Sequence, residues 1–337
     1  MPQTILLTGI TGFIAKRIAL DLLDAGYNVR GSLRSKHRAR EVRSALTANG
    51  AAPEALSRLS FVELDLMKDD GWQDAMDGVD AVLHTASPFP IGETDDAKVV
   101  TPAVEGTLRA LRAAQAKGVT RIVLTSSMEA VMHGVTSDPI TETDWSNPDA
   151  PSCSAYTRSK IFAEKAAWDF VTTHPEMQLT TINPAMVCGI PMDRDYGSSV
   201  RVVERLVTGK DPMLPRVPLP IVDVEDVSAM HVRALSTPVT IGQRYIAADS
   251  FMQMNQAGAI LARAFPGRGI ATRTAPNLMV KALALFDKDL RTVTNWLGWD
   301  PSLSHAKAAK DMDIAFVPAA EAVTRTARFL VDAPSAA

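Results

Sequence analysis

Apolar and polar positions in the first half of the chain alternate between two regimes. TILLTG (4–9), YNVRGSLR (27–34), LSFVELDL (59–66), VDAVLHTAS (79–87) and TRIVLTSS (120–127) are short, almost continuously apolar runs. That pattern predicts strands covered on both faces. Between them the spacing turns helical. TGFIAKRIALDLLDAG (11–26) ends at Gly26, residues 36–50 are charged and predicted helical, a short helix falls near Trp72–Met76, and a long one over 97–117 stops at Gly118. LTTINPAMV (179–187) predicts a sixth strand. Strand and helix in regular succession imply parallel strands with crossover helices, an α/β doubly wound sheet.

The alternation then breaks. Residues 189–220 are rich in Pro, Gly and charge (GIPMDRDYGSSV, DPMLPRVPLP) and predict a departure into a second lobe. PIVDVEDVSAMHVRAL (220–235) suggests a return and GQRYIAA (242–248) a seventh strand, before helical stretches at about 253–265, 276–290 and 318–331. The expected division is a dinucleotide-binding domain over 1–188, rejoined by 218–250, with 189–217 and 251–337 forming a smaller, mostly C-terminal α/β substrate lobe.

Composition narrows the classes. Of 337 residues, 46% are apolar and 22% charged, and the net charge is −3, so no basic excess points to nucleic acid or an anionic membrane. The start, MPQTILLTG, lacks a basic region and a long apolar run, and no stretch reaches the length of a membrane span. Two cysteines, Cys153 and Cys188, predict free thiols in a reducing cytoplasm rather than a disulfide framework. The six scattered histidines give no metal-ligand spacing, so no metal is expected.

TGITGFIA (8–15) sits between the first strand and first helix, the context in which a glycine-rich turn carries weight. Gly9 and Gly12 allow a tight turn and close approach to a pyrophosphate. The helix start near Thr11, Phe13 and Ile14 offers unpaired N–H groups to it. After the second strand an NAD site usually places a carboxylate on the ribose; here no Asp or Glu lies between Asp24 and Glu41. Arg30, Arg34, Lys36, Arg38 and Arg40 occupy that window, which favours a 2′-phosphate and therefore NADP(H). Arg34, at the strand end, is the best placed, with Lys36 beside it. Asp65, at the end of the third strand, is a candidate acceptor for the adenine amino group, next to Leu66.

SAYTRSK (154–160) places Tyr156 and Lys160 four residues apart, on one face if the segment is helical. Ile161, Trp168 and Val171 return at helical spacing, and Ser152 or Ser154 can cap the start. In isolation, two neighbours on a surface helix would account for the pair.

The motifs TGITGFIA, LDL (64–66), HTASP (84–88), TSS (125–127), YTRSK and INPAMVCG (182–189), in that order, change this. The chain resembles the extended short-chain dehydrogenase/reductases, and within them the dihydroflavonol reductase, cinnamoyl-CoA reductase and aldehyde reductase group. The resemblance implies a Rossmann fold and assigns Ser127, Tyr156 and Lys160 to catalysis, with Ser126 the alternative to Ser127. It sets Thr85, Ala86, Ser87 and Thr125 beside the cofactor, Lys160 on its ribose, and Pro184 and Val187 beside the nicotinamide. It also suggests a homodimer through helices 97–117 and 152–173. Three departures stand out. Ala15 replaces a third glycine, no asparagine occurs between 81 and 120 for a proton relay, and Met128–Glu129 follow the serine where small residues are usual. We expect the Glu129 carboxylate to point outward.

The reading that follows is reduction of an aldehyde or ketone by NADPH. Tyr156 gives the proton, Lys160 lowers its pKa, and Ser127 steadies the carbonyl oxygen. The alternatives are a nucleotide-sugar epimerase or dehydratase, which would need the missing ribose carboxylate, and a non-enzymatic dinucleotide sensor. Residues near 88–95, 128–135 and 188–216 are expected to line the pocket, with Phe89, Met128, His133, Cys188 and Tyr196 making it mainly apolar.

Overall fold

The computed structural model describes residues 2–88, 95–286 and 293–332, so Phe89 lies outside the described residues. The expected units appear in order as β1 (Thr4–Thr8), α1 (Phe13–Asp24), β2 (Asn28–Leu33), α2 (Ala39–Ala48) and α3 (Pro53–Leu56). They continue with β3 (Leu59–Glu63), α4 (Trp72–Ala75), β4 (Ala81–His84), α5 (Asp96–Ala116), β5 (Arg121–Thr125), α6 (Ala155–Thr173) and β6 (Gln178–Pro184). After β7 (Met186–Cys188) come α7 (Ser198–Val207), β8 (Pro218–Asp223), α8 (Val224–Ser236), β9 (Gln243–Ala247) and β10 (Ser250–Gln253). The described helices of the remainder are α9 (Met254–Ala264), α10 (Asn277–Leu283), α11 (Ala306–Met312) and α12 (Ala319–Asp332).

Seven strands form one sheet in the order β3-β2-β1-β4-β5-β6-β9, each neighbouring pair parallel. Successive side chains leave opposite faces of a strand, and β1 shows the result. Ile5 and Leu7 join Ile18 and Leu22 of α1 and Val227 and Met230 of α8 in one core. Leu6 enters the opposite core with Val82, Ile122, Ala110 and Ala114 of α5, and Ala167 of α6. Both faces are covered, which is why the strands read as continuous apolar runs. The chain moves outward from β1 through β2 to β3, then crosses back to β4 on the other side. That reversal opens a crevice beyond the carboxyl ends of β1 and β4.

The run expected as one strand over 179–187 is two. Pro184 has no N–H to extend a ladder, and Ala185 N donates to Ala247 O at 3.0 Å. The next residues, β7, leave for a second, three-stranded sheet in the order β10-β8-β7. The return expected over 218–250 is likewise divided. β8 stays in the small sheet; Asp223 accepts from Glu225 N at 2.9 Å to start α8, and α8 then packs on α1. β9 rejoins the large sheet. The small sheet, α7, α9 and α12 close around Cys188, Val203, Ile221, Leu261 and Val323. Among the described residues, no helix is long and apolar enough to cross a membrane.

Candidate active site

Two cavities lie at the carboxyl ends of strands of the large sheet. The first is a groove of about 690 Å³ whose floor is the β1–α1 turn. Gly9 has φ +68°, and a Cβ there would come within 3.0 Å of Ala86, so only glycine permits this approach. Gly9 N donates to Ser32 Oγ at 3.0 Å, and Thr8 Oγ1 accepts from Thr85 N and Ala86 N, each at 3.1 Å, which locks β1 to β4. Gly12 caps α1 without a side-chain acceptor, so the first N–H groups of a 12-residue helix face the groove. These features fit a dinucleotide pyrophosphate.

Of the expected cofactor residues, Gly9, Thr11, Gly12, Phe13, Arg34 and Leu66 line this groove, together with Thr85, Ala86 and Ser87. The others lie elsewhere. Ile14 packs against the core, as does buried Ala15 in the place of the third glycine. Lys36 is exposed on the outer side, its backbone N donating to Glu63. The Asp65 carboxylate turns back to accept from Met67 N at 2.9 Å, and Thr125 Oγ1 pairs with His231 Nε2 at 2.7 Å. Val187 is buried in the core.

Arg34 and Arg38 stand on the rim of the groove. Among the described residues no hydrogen bond or ion pair engages the Arg34 guanidinium. Arg38 forms a fork with Glu41 (2.9 and 3.1 Å) and a further ion pair with Asp195. Asp195, Tyr196 and Gly197 close the far side of the groove, anchored by Lys16 of α1 on Asp193 at 2.5 Å. Sequence reasoning placed this segment in the substrate pocket and missed its position on this groove. Its partners are more than 150 residues away along the chain, and no local spacing reports such pairs.

The second cavity, of about 400 Å³, is lined by Ser127 and Tyr156 of the expected catalytic groups, whereas Lys160 does not line it. Ser154 caps α6 by accepting from Thr157 N at 3.1 Å, which sets Tyr156 in the first turn. Lys160 follows one turn later, its Nζ 5.8 Å from the Tyr156 ring centroid. The two serines leave opposite sides of the chain as it emerges from β5. Ser126 Oγ donates to Glu164 Oε2 at 2.6 Å, deep behind the sheet, whereas Ser127 lines the cavity with Tyr156. The register left open by the sequence therefore places Ser127 at the cavity. Pro184 lines it too, with Ser198 and Val202 of α7, Leu219 of β8, and Trp296. Of the expected pocket residues, Met128 and His133 lie here, Tyr196 lines the other groove, and Cys188 is buried in the small lobe.

Burial pushes the Tyr156 phenol above its ordinary range, the Glu129 carboxylate adds to this, and a hydrogen bond with Ser127 works against it. The expected lowering by Lys160 is not the dominant influence here. Lys160 itself is pushed down to about 8 by burial, against the pull of Glu164 and Glu129.

Glu129 does not point outward. It lines the cavity, its side chain 25% exposed, and Oε2 accepts from Thr157 Oγ1 at 2.5 Å and from His133 Nε2 at 2.9 Å. The cause is local: the turn after Ser127 is a short 3₁₀ helix that carries residue 129 back over the start of α6.

A sequence model described as "NAD dependent epimerase/dehydratase family" matches residues 5–248. Cinnamoyl-CoA reductase 1 of Petunia hybrida is 34% identical over 280 residues, covering 80% of each chain. The NADPH-dependent methylglyoxal reductase of Saccharomyces cerevisiae is 33% identical over 287 residues, covering 78% of this chain and 83% of its own. The crystal structure of the yeast methylglyoxal/isovaleraldehyde reductase complexed with NADPH superposes with a TM-score of 0.81, at 28% identity and 98% coverage of both chains.

Proposed function

Because the chain belongs to the NAD dependent epimerase/dehydratase family, we propose that it is an NADPH-dependent reductase of aldehydes or ketones. Bound NADPH supplies the hydride. The chain's own residues do the rest. Gly9, Gly12, Thr85 and Ala86 hold the pyrophosphate side of the groove, and Arg34 receives the 2′-phosphate, with Arg38 next to it. Ser127 donates to the substrate oxygen as negative charge grows there, and Tyr156 passes its phenolic proton to that oxygen. A phenol held above its usual pKa is protonated at neutral pH, so the proton is present for the reductive direction. Lys160 lies against the Tyr156 ring and stabilises the phenolate left behind.

The observation that carries this reading is the meeting of Ser127 and Tyr156 in one cavity, with Lys160 a turn away. We assign 189–217 and 251–337 to substrate contact, as α7 and Trp296 line the same cavity. A homodimer through α5 and α6, and a cytoplasmic location, belong to the same reading. Light scattering tests the dimer. The activity is tested by mixing the protein with NADPH and a panel of aldehydes and ketones and following nicotinamide absorbance. Tyr156→Phe should abolish turnover and keep NADPH affinity. Retained turnover would remove Tyr156 from the mechanism, and epimerisation of a sugar nucleotide without carbonyl reduction would overturn the proposal.

A further inference from the structure

Among the described residues lining the substrate cavity, Glu129 is the single carboxylate, and none is Lys or Arg. Its two oxygens differ. Oε2 is saturated by Thr157 Oγ1 and His133 Nε2. Oε1 has no donor among the described residues, although the group shares the cavity with Ser127 and Tyr156. Both partners of Oε2 are themselves held. His133, 2% exposed, is itself fixed by Ser152 Oγ at 3.0 Å and by the edge of Trp296, ring centroids 4.8 Å apart. Thr157 is fixed by the cap of α6. Both polar contacts of the carboxylate fall on Oε2, so Oε1 stays available.

A charged acceptor held by its other oxygen, a quarter exposed and with Oε1 unclaimed by the protein, is open to a donor on whatever occupies the cavity. The wall around it carries Met128, Met132, Met186, Val202 and Leu219, which have no donor, and the Ser198 and Ser199 hydroxyls and the Trp296 indole N–H, none of which bonds to Oε1. We infer that Glu129 Oε1 receives a hydrogen bond from the substrate. The enzyme thus selects carbonyl compounds that carry a hydroxyl or ammonium group close to the carbonyl, and disfavours those that carry a carboxylate there. The inference rests on the reductase reading above and adds the class of substrate to it. Glu129 sits two residues from Ser127, and its partner Thr157 is next to Tyr156, so the donor it reads lies near the reacting carbon.

The test compares kcat/KM with NADPH for four aryl ketones that differ in one group on the carbon beside the carbonyl: methyl, hydroxyl, ammonium or carboxylate. The wild type should prefer hydroxyl and ammonium over methyl by about tenfold and disfavour carboxylate by about tenfold, the worth of a hydrogen bond to a charged acceptor. Glu129→Gln should erase the ammonium preference and lift the relative rate of the carboxylate compound about tenfold; Glu129→Ala should do the same without an amide in place. Each result is a ratio within one protein, so partial loss of folded enzyme cancels. An ammonium-to-carboxylate ratio near one in the wild type, or ratios equal in wild type and both variants, would overturn the inference while leaving the reductase reading intact. Failure of every carbonyl compound to be reduced would instead bring down that reading, and the inference with it.

Discussion

Glu164→Gln probes the support behind Ser127. Glu164 is fully buried, and its neighbours are donors. Oε2 accepts from Ser126 Oγ at 2.6 Å and Asn183 Nδ2 at 2.7 Å; Oε1 accepts from Thr181 Oγ1 at 2.9 Å and Arg244 Nε at 2.8 Å. A carboxylate is acceptor-only and suits this ring. An amide turns one of the two positions into a donor facing donors and leaves the Arg244 charge without its counter-ion. Arg244, 10% exposed at its side chain, keeps only the Glu142 and Asp144 carbonyls and the face of Trp145. Removing one partner of a buried pair costs about 3–5 kcal/mol, and retained hydrogen bonds put this case near about 3 kcal/mol, or roughly 5–10 °C in Tm. Catalysis should suffer as well. The same Asn183 amide group donates to the backbone O of Ser127 at 3.1 Å, so a displaced Asn183 shifts Ser127. We expect kcat to fall about tenfold with the NADPH KM unchanged. Urea denaturation and steady-state kinetics measure both effects. The double variant Glu164→Leu/Arg244→Met, which removes both charges, should recover much of the stability. A loss under about 1 kcal/mol in the single variant, or a double variant no more stable than the single, would refute this account of the buried pair.

Three further outcomes follow from other groups. Arg34→Ala should weaken NADPH binding by about tenfold or more and NADH little; equal losses measured by fluorescence titration would exclude a phosphate role. Lys160 loses its charge near pH 8, so kcat/KM for reduction should decline from about pH 8 upward while Tyr156 stays protonated; a profile flat to about pH 10 would separate Lys160 from the proton step. Asp226, buried, has its carboxyl raised from 3.8 to about 6 by desolvation, against a hydrogen bond from Val317 N at 2.9 Å. A folded-state value above the unfolded one stabilises the fold fully at low pH, and that stability is lost as pH rises through about 6. Asp226→Asn, which keeps an acceptor for Val317, should therefore stabilise the protein at pH 7 by up to about 3 kcal/mol, the difference fading below about pH 4. Equal stability of the two proteins at neutral pH, by denaturation, would count against it.

The large sheet was legible because its strands are covered on both faces, so apolar runs alone marked them. The Tyr156–Lys160 pair was legible because helical spacing turns a sequence interval into a shared face. Pairings across the fold were not. The side of the chain taken by Ser126 depends on Glu164 reaching back from α6. The inward turn of Glu129 depends on Thr157 and His133. The Asp195–Arg38 contact joins segments 157 residues apart. The window of cations after β2 was legible as a cluster of charge, but which of them face the groove is set by the turn at Lys36–Arg38, which sends Lys36 outward and Arg38 inward. The break after Pro184 was hidden by an apolar run that serves two sheets in succession.

That break is one residue long. With Ala185 alone between β6 and β7, the large sheet and the small sheet are consecutive stretches of a single backbone, stapled at Ala247, and Pro184, Ala185 and Met186 all line the second cavity. Swapping side chains on α7 or along Val217–Pro220 can therefore remodel the pocket's shape. Grafting a foreign lobe at this seam would tilt Pro184 as well, so changes of specificity are better sought by point substitution than by exchanging modules.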